Sequence, residues 1–139
     1  MIRVITGHIC SGKSHHVSQH AKRGDVIIDM DRIAASLTTD DTPSHEYGEV
    51  VIGLAKRARM ACVEHAMAAH WRDSLGQVDG SFNVWIVHAY PDDFARGLYA
   101  KYSATIVRID ADAATLLERA AKLRPPAAQA ELKRRLGVV

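Results

Sequence analysis

Short apolar runs alternate along the chain with longer segments in which apolar residues recur at helical spacing. Three of the runs predict buried strands of a parallel sheet, because such strands are covered on both faces and lack the polar alternation of a half-exposed strand. A further run predicts a fourth strand. The four runs are residues 2–6, 25–29, 84–87 and 105–109. Strands that alternate with helices predict an α/β fold, with a short parallel sheet of about four or five strands and helices on both faces.

Five segments are predicted to be helices. They are residues 13 to about 22, 49–74, 94–102, 112–124 with Asp112 as the N-cap, and 127–136. Pro125 ends the fourth helix, and Gly137 is typical of the position after a helix. The long second helix is predicted to be amphipathic. Its expected apolar face consists of Val50, Leu54, Ala58, Ala61, Cys62 and Ala66. Residues 38–48 predict a loop that is long enough to be functional.

Composition sets wide bounds on function. With 139 residues, 47% of them hydrophobic, the chain fits one globular domain over residues 1–139. A net charge of +2 gives no strong field for nucleic acid or membrane, although a local basic groove is compatible with it. Cys10 and Cys62 lie far apart in sequence and favour a reducing cytoplasm over a disulfide framework. No apolar run approaches about 20 residues, so neither secretion nor membrane spanning is expected.

Residues 7–14 have the sequence GHICSGKS, which fits the phosphate-binding pattern G-x-x-x-x-G-K-[ST]. The motif lies between a predicted strand and a predicted helix, which is the context that such a loop needs. In such a loop, backbone N–H groups surround the phosphates, Lys13 reaches the β- and γ-phosphates, and Ser14 binds Mg²⁺. The expected nucleotide-binding residues are Gly7, Cys10, Ser11, Gly12, Lys13, Ser14 and His15. We therefore expect ATP or GTP and Mg²⁺ to bind here, in a three-layer P-loop NTPase fold.

Two aspartates stand at the end of the second predicted strand, and ligands of parallel sheets bind at the carboxyl ends of strands. We assign Asp31 as the general base that accepts the proton of an attacking hydroxyl. Asp29 is expected to support Mg²⁺ or to hold the loop. The alternative is that both acids only cap the next helix, since Asp is a favoured N-cap residue.

Cationic residues follow the fourth predicted strand. We expect Arg119 to be catalytic and Arg124 to bind the nucleotide, where both would neutralise charge during phosphoryl transfer. A solvated basic helix face is the alternative. His88, at the end of the third strand, is expected to contact substrate or to position Asp31; its alternative is a structural histidine.

The chain lacks motifs of other P-loop classes. It has no N-K-x-D sequence for reading guanine, and its third strand ends in His88-Ala89 rather than in the acid of motor and AAA+ ATPases. The short chain then favours a phosphotransferase. A non-enzymatic nucleotide-binding switch is the alternative, but it would need neither Asp31 nor Arg119.

The phosphate loop, the segment VIIDMDR at residues 26–32 and the segment at residues 110–124 resemble the small P-loop kinases of the polynucleotide-kinase group. The likeness is greatest to the compact versions carried by bacteriophages. The resemblance places the catalytic aspartate on Asp31 and the lid arginine on Arg119, with Arg124 as a second candidate. It implies ATP as the donor, Mg²⁺ as the cofactor and the host cytoplasm as the compartment.

Two departures from that group concern the acceptor. The group has an arginine three residues beyond its catalytic aspartate, which grips the acceptor's phosphate; this chain has Ala34 there. The acid that holds that arginine is replaced around His88-Ala89. Some phage kinases of this size phosphorylate the hydroxymethyl group of 5-hydroxymethyluracil in DNA, and the chain resembles them too. Such an acceptor would not need the missing phosphate-binding arginine, although its base must be flipped out of the duplex or lie in single-stranded DNA.

The resemblance therefore implies DNA as the acceptor. The expected substrate-binding residues are Asp29, Arg32, Arg57 and His88. The DNA backbone is expected to contact Lys56, Arg57, Arg59 and the loop at residues 38–48. Two other acceptors stay open: a 5′-hydroxyl of a polynucleotide, and a nucleoside, nucleotide or other small molecule. The modest net charge favours the small molecule.

Overall fold

A parallel sheet organises the structure, which is a computed structural model that describes residues 1–75 and 82–138. Its four strands are β1 (Ile2–Thr6), β2 (Val26–Asp29), β3 (Val84–Val87) and β4 (Thr105–Arg108). Their order in the sheet is β2-β3-β1-β4, and all three neighbouring pairs are parallel. The predicted α/β class and the predicted number of strands are confirmed for the described residues.

Six helices occur in the same part of the chain. They are α1 (Lys13–His20), α2 (Met30–Ser36), α3 (Glu49–Ser74), α4 (Asp93–Lys101), α5 (Ala113–Leu123) and α6 (Pro126–Leu136). The sequence analysis did not delimit α2, because seven residues are too few for a periodicity signal. The predicted end of α1 near residue 22 is wrong, since Ala21 is already extended at φ −69° and ψ 141°. None of the described helices is long and apolar enough to cross a membrane.

Helices cover both faces of the sheet, as predicted. On one face, Val4 and Ile86 pack with Val63 and Met67 of α3 and with Tyr99 of α4. The other face is covered by α1, where Val17 packs against Ile5, Trp85 and Val87. Helices α5 and α6 pack on each other through Leu116 and Leu132 and reach the loop after β1. The chain therefore has helix, sheet and helix layers.

The buried side of α3 differs from the predicted one. Its buried residues are Ala55, Val63, Ala66 and Met67, so of the predicted face Ala66 alone is buried. Val50 is 77% exposed and Leu54 is 48% exposed. Apolar residues lie on several sides of this helix, and their spacing alone did not identify the side that packs on the sheet. With this side of α3 packed on the sheet, the Nε of Arg59 is buried.

The strand order creates a crevice at the carboxyl end of the sheet. Strands β1 and β3 are neighbours, but β1 is followed by α1 on one face and β3 by α4 on the other. Two connections that leave toward opposite faces open a gap between them, and this is where parallel sheets bind ligands. The loop at residues 7–12 borders this gap.

Candidate active site

Glycines shape the loop between β1 and α1. Gly7 has a φ of +135°, and a Cβ added to it would lie 2.0 Å from the carbonyl oxygen of Ile109, so no other residue fits. Gly12 is left-handed at φ 97° and begins α1 without a side-chain cap. Cys10 also has a positive φ, of 62°. The uncapped first turn leaves N–H groups available to an anion at the helix N-terminus.

Lys13 folds back over this loop. Its Nζ donates to the carbonyl oxygens of Gly7 at 3.0 Å and His8 at 2.6 Å. Burial, and next the positive charge of Arg124, lower the pKa of Lys13 from 10.5 to about 8. Only 9% of the residue is exposed. An anion placed in the loop would therefore stabilise the charged lysine.

Asp29, the last residue of β2, is hydrogen-bonded to the first turn of α1, which follows the loop at residues 7–12. Its Oδ2 accepts a hydrogen bond of 2.8 Å from the Ser14 hydroxyl, and its Oδ1 accepts one of 3.0 Å from the Asp31 N–H. The second bond makes Asp29 the N-cap of α2. The capping alternative thus holds for Asp29, yet the same carboxylate also faces Ser14.

The Asp31 carboxylate is not part of that cap. Its Oδ2 lies 3.3 Å from Nδ1 of His45 and 3.8 Å from a terminal guanidinium nitrogen of Arg124. Its side chain is 41% exposed, which leaves room for a hydroxyl to approach it. Asp31 is therefore an oriented and accessible carboxylate.

The predicted cations come from α5 and the turn before α6. Arg119 donates from a terminal nitrogen to the carbonyl oxygen of Cys10 at 3.1 Å. Arg124 is only 17% exposed at its side chain, and its buried Nε has no hydrogen-bond partner. Lys122 instead pairs with Glu118 on the outside of α5, at 2.7 Å. Arg119 and Arg124 are thus both available at the loop, and Lys122 is not.

These groups line one cavity of about 710 Å³. The sequence-predicted residues in its wall are Cys10, Gly12, Lys13, Ser14, His15, Asp29, Asp31, Arg119 and Arg124. Four cationic side chains face two carboxylates: Lys13, Arg59, Arg119 and Arg124 against Asp29 and Asp31. Four positive charges against two negative ones make the cavity positive, which suits a polyanion.

Five predicted residues do not line this cavity. Gly7 and Ser11 belong to the buried floor of the loop. Arg32 and Arg57 are exposed outside it. His88 is 7% exposed and shares a hydrogen bond of 2.7 Å with the Tyr99 hydroxyl. Burial, followed by the charge of Arg59, lowers the pKa of His88 to about 4, so this histidine is neutral at pH 7.

Three further polar residues of the cavity, His45, Tyr47 and Arg59, were expected only among DNA-backbone contacts and not beside the phosphate loop. His45 and Tyr47 come from the loop after α2, and Arg59 comes from α3. The loop carries no periodic pattern that could orient its side chains. Arg59 lies two residues from Arg57, and only the true buried side of α3 distinguishes them.

The chain matches no protein-family model and no curated protein. Within the described residues, no group of three or more His, Cys, Asp or Glu side chains is arranged to hold a metal ion. Function is therefore argued from the cavity itself.

Proposed function

We propose that this protein is an ATP-dependent phosphotransferase, a kinase with the P-loop NTPase fold. One observation carries the proposal: a loop of phosphate-binding sequence and an accessible carboxylate, Asp31, border the same positive cavity. A binding loop alone would serve many nucleotide-binding proteins. A carboxylate placed to receive a proton is what transfer to a hydroxyl requires.

The nucleotide's phosphates would occupy the loop. Lys13 would exchange its bonds to the Gly7 and His8 carbonyls for the phosphate oxygens, which compensate its charge better than neutral carbonyls do. Arg119, which donates to the Cys10 carbonyl of the loop, and Arg124 would stabilise the charge that spreads over the transferring group. His15 lines the same cavity.

Ser14 and Asp29 fit the ligand preference of Mg²⁺, which takes a hydroxyl and one or two carboxylates together with phosphate oxygens and water. When bound, Mg²⁺ would offset phosphate charge. The contribution of the chain is to hold the two oxygen ligands together at the loop.

Asp31 would accept the proton of the acceptor hydroxyl. The hydroxyl oxygen forms a bond to the γ-phosphorus as the bond from that phosphorus to the ADP oxygen breaks, so ADP leaves with the electron pair. His45 would hold the carboxylate in place through Oδ2. The products are ADP and a phosphate monoester.

For the acceptor we propose a hydroxyl on nucleic acid, and first the hydroxymethyl group of 5-hydroxymethyluracil in DNA. Tyr47 and Ile52 line the cavity and offer aromatic and apolar surface to a base taken out of the stack. A 5′-hydroxyl of a polynucleotide is the alternative acceptor. A nucleoside or nucleotide is another, and the outward position of Arg57, away from the cavity, favours it over a long strand.

A label-transfer assay tests the proposal. The protein is incubated with Mg²⁺, γ-labelled ATP and one acceptor at a time: plain DNA, hydroxymethyluracil DNA, 5′-hydroxyl oligonucleotides and a panel of nucleosides and nucleotides. We expect label in hydroxymethyluracil DNA at the highest rate. Label only in free nucleosides or nucleotides would contradict the nucleic-acid acceptor, and label in none would contradict the kinase.

A further inference from the structure

Arg59 is the one cation of the cavity that the proposed chemistry does not use. It lies on the inward side of α3, where a terminal nitrogen contacts the sulfur of Met30 at 3.8 Å. Its Nε is buried and has no hydrogen-bond partner. A guanidinium carries five N–H donors and is always charged, so a half-buried one whose acceptor is a weak thioether sulfur is costly.

No carboxylate compensates this charge among the side chains that the structure describes. None forms an ion pair with Arg59 within 4.0 Å. The charge of Arg59 instead acts on His88 and Tyr99, which are both neutral at pH 7. Asp92 acts on the same two side chains, but its carboxylate caps α4 by accepting the Ala95 N–H at 2.8 Å. Arg59 is thus a half-buried cation with no carboxylate within 4.0 Å among the described side chains.

Arg59 enters the cavity from α3, a helix that contributes none of the residues proposed to bind the donor nucleotide. Its guanidinium contacts Met30, which lies between Asp29 and Asp31 at the end of β2. Arg59 therefore lies beside the segment that carries the proposed general base, which an acceptor hydroxyl must approach.

We propose that Arg59 binds a phosphate group of the acceptor, so that the acceptor is a nucleotide or a strand of nucleic acid and not a free nucleoside. This inference rests on the proposed kinase function. The guanidinium fits phosphate because its fork of donors pairs with two oxygens at once. Phosphate binding would also supply the anion that the buried charge lacks.

The test compares three acceptors that carry the same hydroxymethyl group: 5-hydroxymethyldeoxyuridine, its 5′-monophosphate, and an oligonucleotide that contains it. We expect kcat/KM to be about tenfold to a hundredfold higher for a phosphate-bearing acceptor than for the nucleoside. Arg59→Gln should abolish this preference, and Arg59→Lys should restore part of it. A preference for the monophosphate identifies a free nucleotide as the acceptor, and a preference for the oligonucleotide alone identifies a phosphodiester.

Arg72→Gln is the matched control, since Arg72 is an exposed arginine of the same helix outside the cavity. It should keep the full preference. If Arg59→Gln lowers kcat/KM equally for all three acceptors, or keeps the preference, the inference is wrong. Arg59→Gln should fold, because the substitution breaks no ion pair among the described side chains and removes a charge whose burial costs free energy.

A binding measurement separates this inference from the kinase proposal. The protein is saturated with Mg²⁺ and a non-hydrolysable ATP analogue, so that the loop is filled, and inorganic phosphate is added. We expect phosphate to raise the thermal midpoint of the wild type and not that of Arg59→Gln. That result would support the phosphate site even if no acceptor is ever phosphorylated. Equal shifts in the two proteins, or no shift in either, would overturn it.

Discussion

The Ser14 hydroxyl donates a hydrogen bond of 2.8 Å to Oδ2 of Asp29, and this bond joins the first turn of α1 to the end of β2. The two residues are 15 positions apart in the chain. Their contact exists because β2 ends at the same edge of the sheet as β1. It sets two side-chain oxygens beside the loop, and it orients the carboxylate that caps α2 by accepting the Asp31 N–H.

The first prediction concerns this pair. Ser14→Ala removes one oxygen ligand, so we expect transfer to need a higher Mg²⁺ concentration, by about tenfold for the loss of one charge-assisted interaction. Ser14→Thr keeps the hydroxyl and is the control. The measurement is the initial rate against Mg²⁺ at saturating ATP. An unchanged Mg²⁺ dependence in Ser14→Ala would mean that Ser14 is no ligand.

The second prediction concerns the general base. Asp31→Asn keeps the shape of the side chain and removes the proton acceptor, so transfer should fall by roughly 10² to 10⁴-fold. ATP affinity should change by less than about threefold, because Asp31 faces the acceptor and not the loop. Transfer rates and equilibrium binding of a fluorescent ATP analogue give the two quantities. A near wild-type rate would rule out Asp31 as the base.

The third prediction follows from the buried lysine. Because the pKa of Lys13 is about 8 in the free protein, part of the lysine is neutral at pH 8. Phosphate binding should raise this pKa, so ATP binding should take up as much as about half a proton at pH 8. Calorimetry in buffers of different ionisation enthalpy measures the uptake. It should be absent in Lys13→Met, and equal uptake in that variant would assign the proton to another group.

The same shift has a consequence for folding. The folded-state pKa of Lys13 lies below its ordinary value of 10.5, so the unfolded chain binds more protons between about pH 8 and 10.5. The contribution of this group to stability therefore rises with pH across that window and is lowest below pH 8. Denaturant unfolding of wild type and Lys13→Met should converge as the pH rises toward 10.

The fourth prediction concerns acid stability. The pKa of His88 is lowered from 6.5 to about 4. The contribution of neutral His88 to the free energy of unfolding is therefore complete above pH 6.5 and is lost as the pH falls through 4. The free energy of unfolding should fall across this window with a slope of at most about 1.4 kcal/mol per pH unit from this group. His88→Asn should flatten the slope. Asp25, whose pKa is about 2, acts below this window and does not mask it. An unchanged slope would mean that His88 is not the responsible group.

Much of the framework follows from the sequence. The predicted strand bounds agree with the structure to within one residue. Strands of a parallel sheet are short apolar runs bounded by polar residues, and this holds even for β4, which is mostly exposed. The loop motif and the strand-end rule together selected Lys13, Ser14, Asp29 and Asp31, which the fold brings to one cavity. These residues need only local geometry and strand order to meet.

Other parts of the cavity depend on long-range packing. The face of α3 is set by its contact with the sheet, so the sequence groups Arg57 and Arg59 together, although only Arg59 reaches the cavity. His45 comes from a loop whose position no local pattern encodes. Ala34 is buried, and the Arg59 guanidinium reaches the cavity from another helix.

In the proposed reaction, the γ-phosphoryl group of ATP moves to an acceptor hydroxyl. The most direct measurement follows ADP formation and intact acceptor mass in one reaction with hydroxymethyluracil DNA, Mg²⁺ and ATP. We predict one phosphoryl group gained by the acceptor for each ADP formed, and neither product with Asp31→Asn. The proposed reaction would be contradicted if the acceptor mass did not change and if ADP and inorganic phosphate formed at the same rate with and without acceptor.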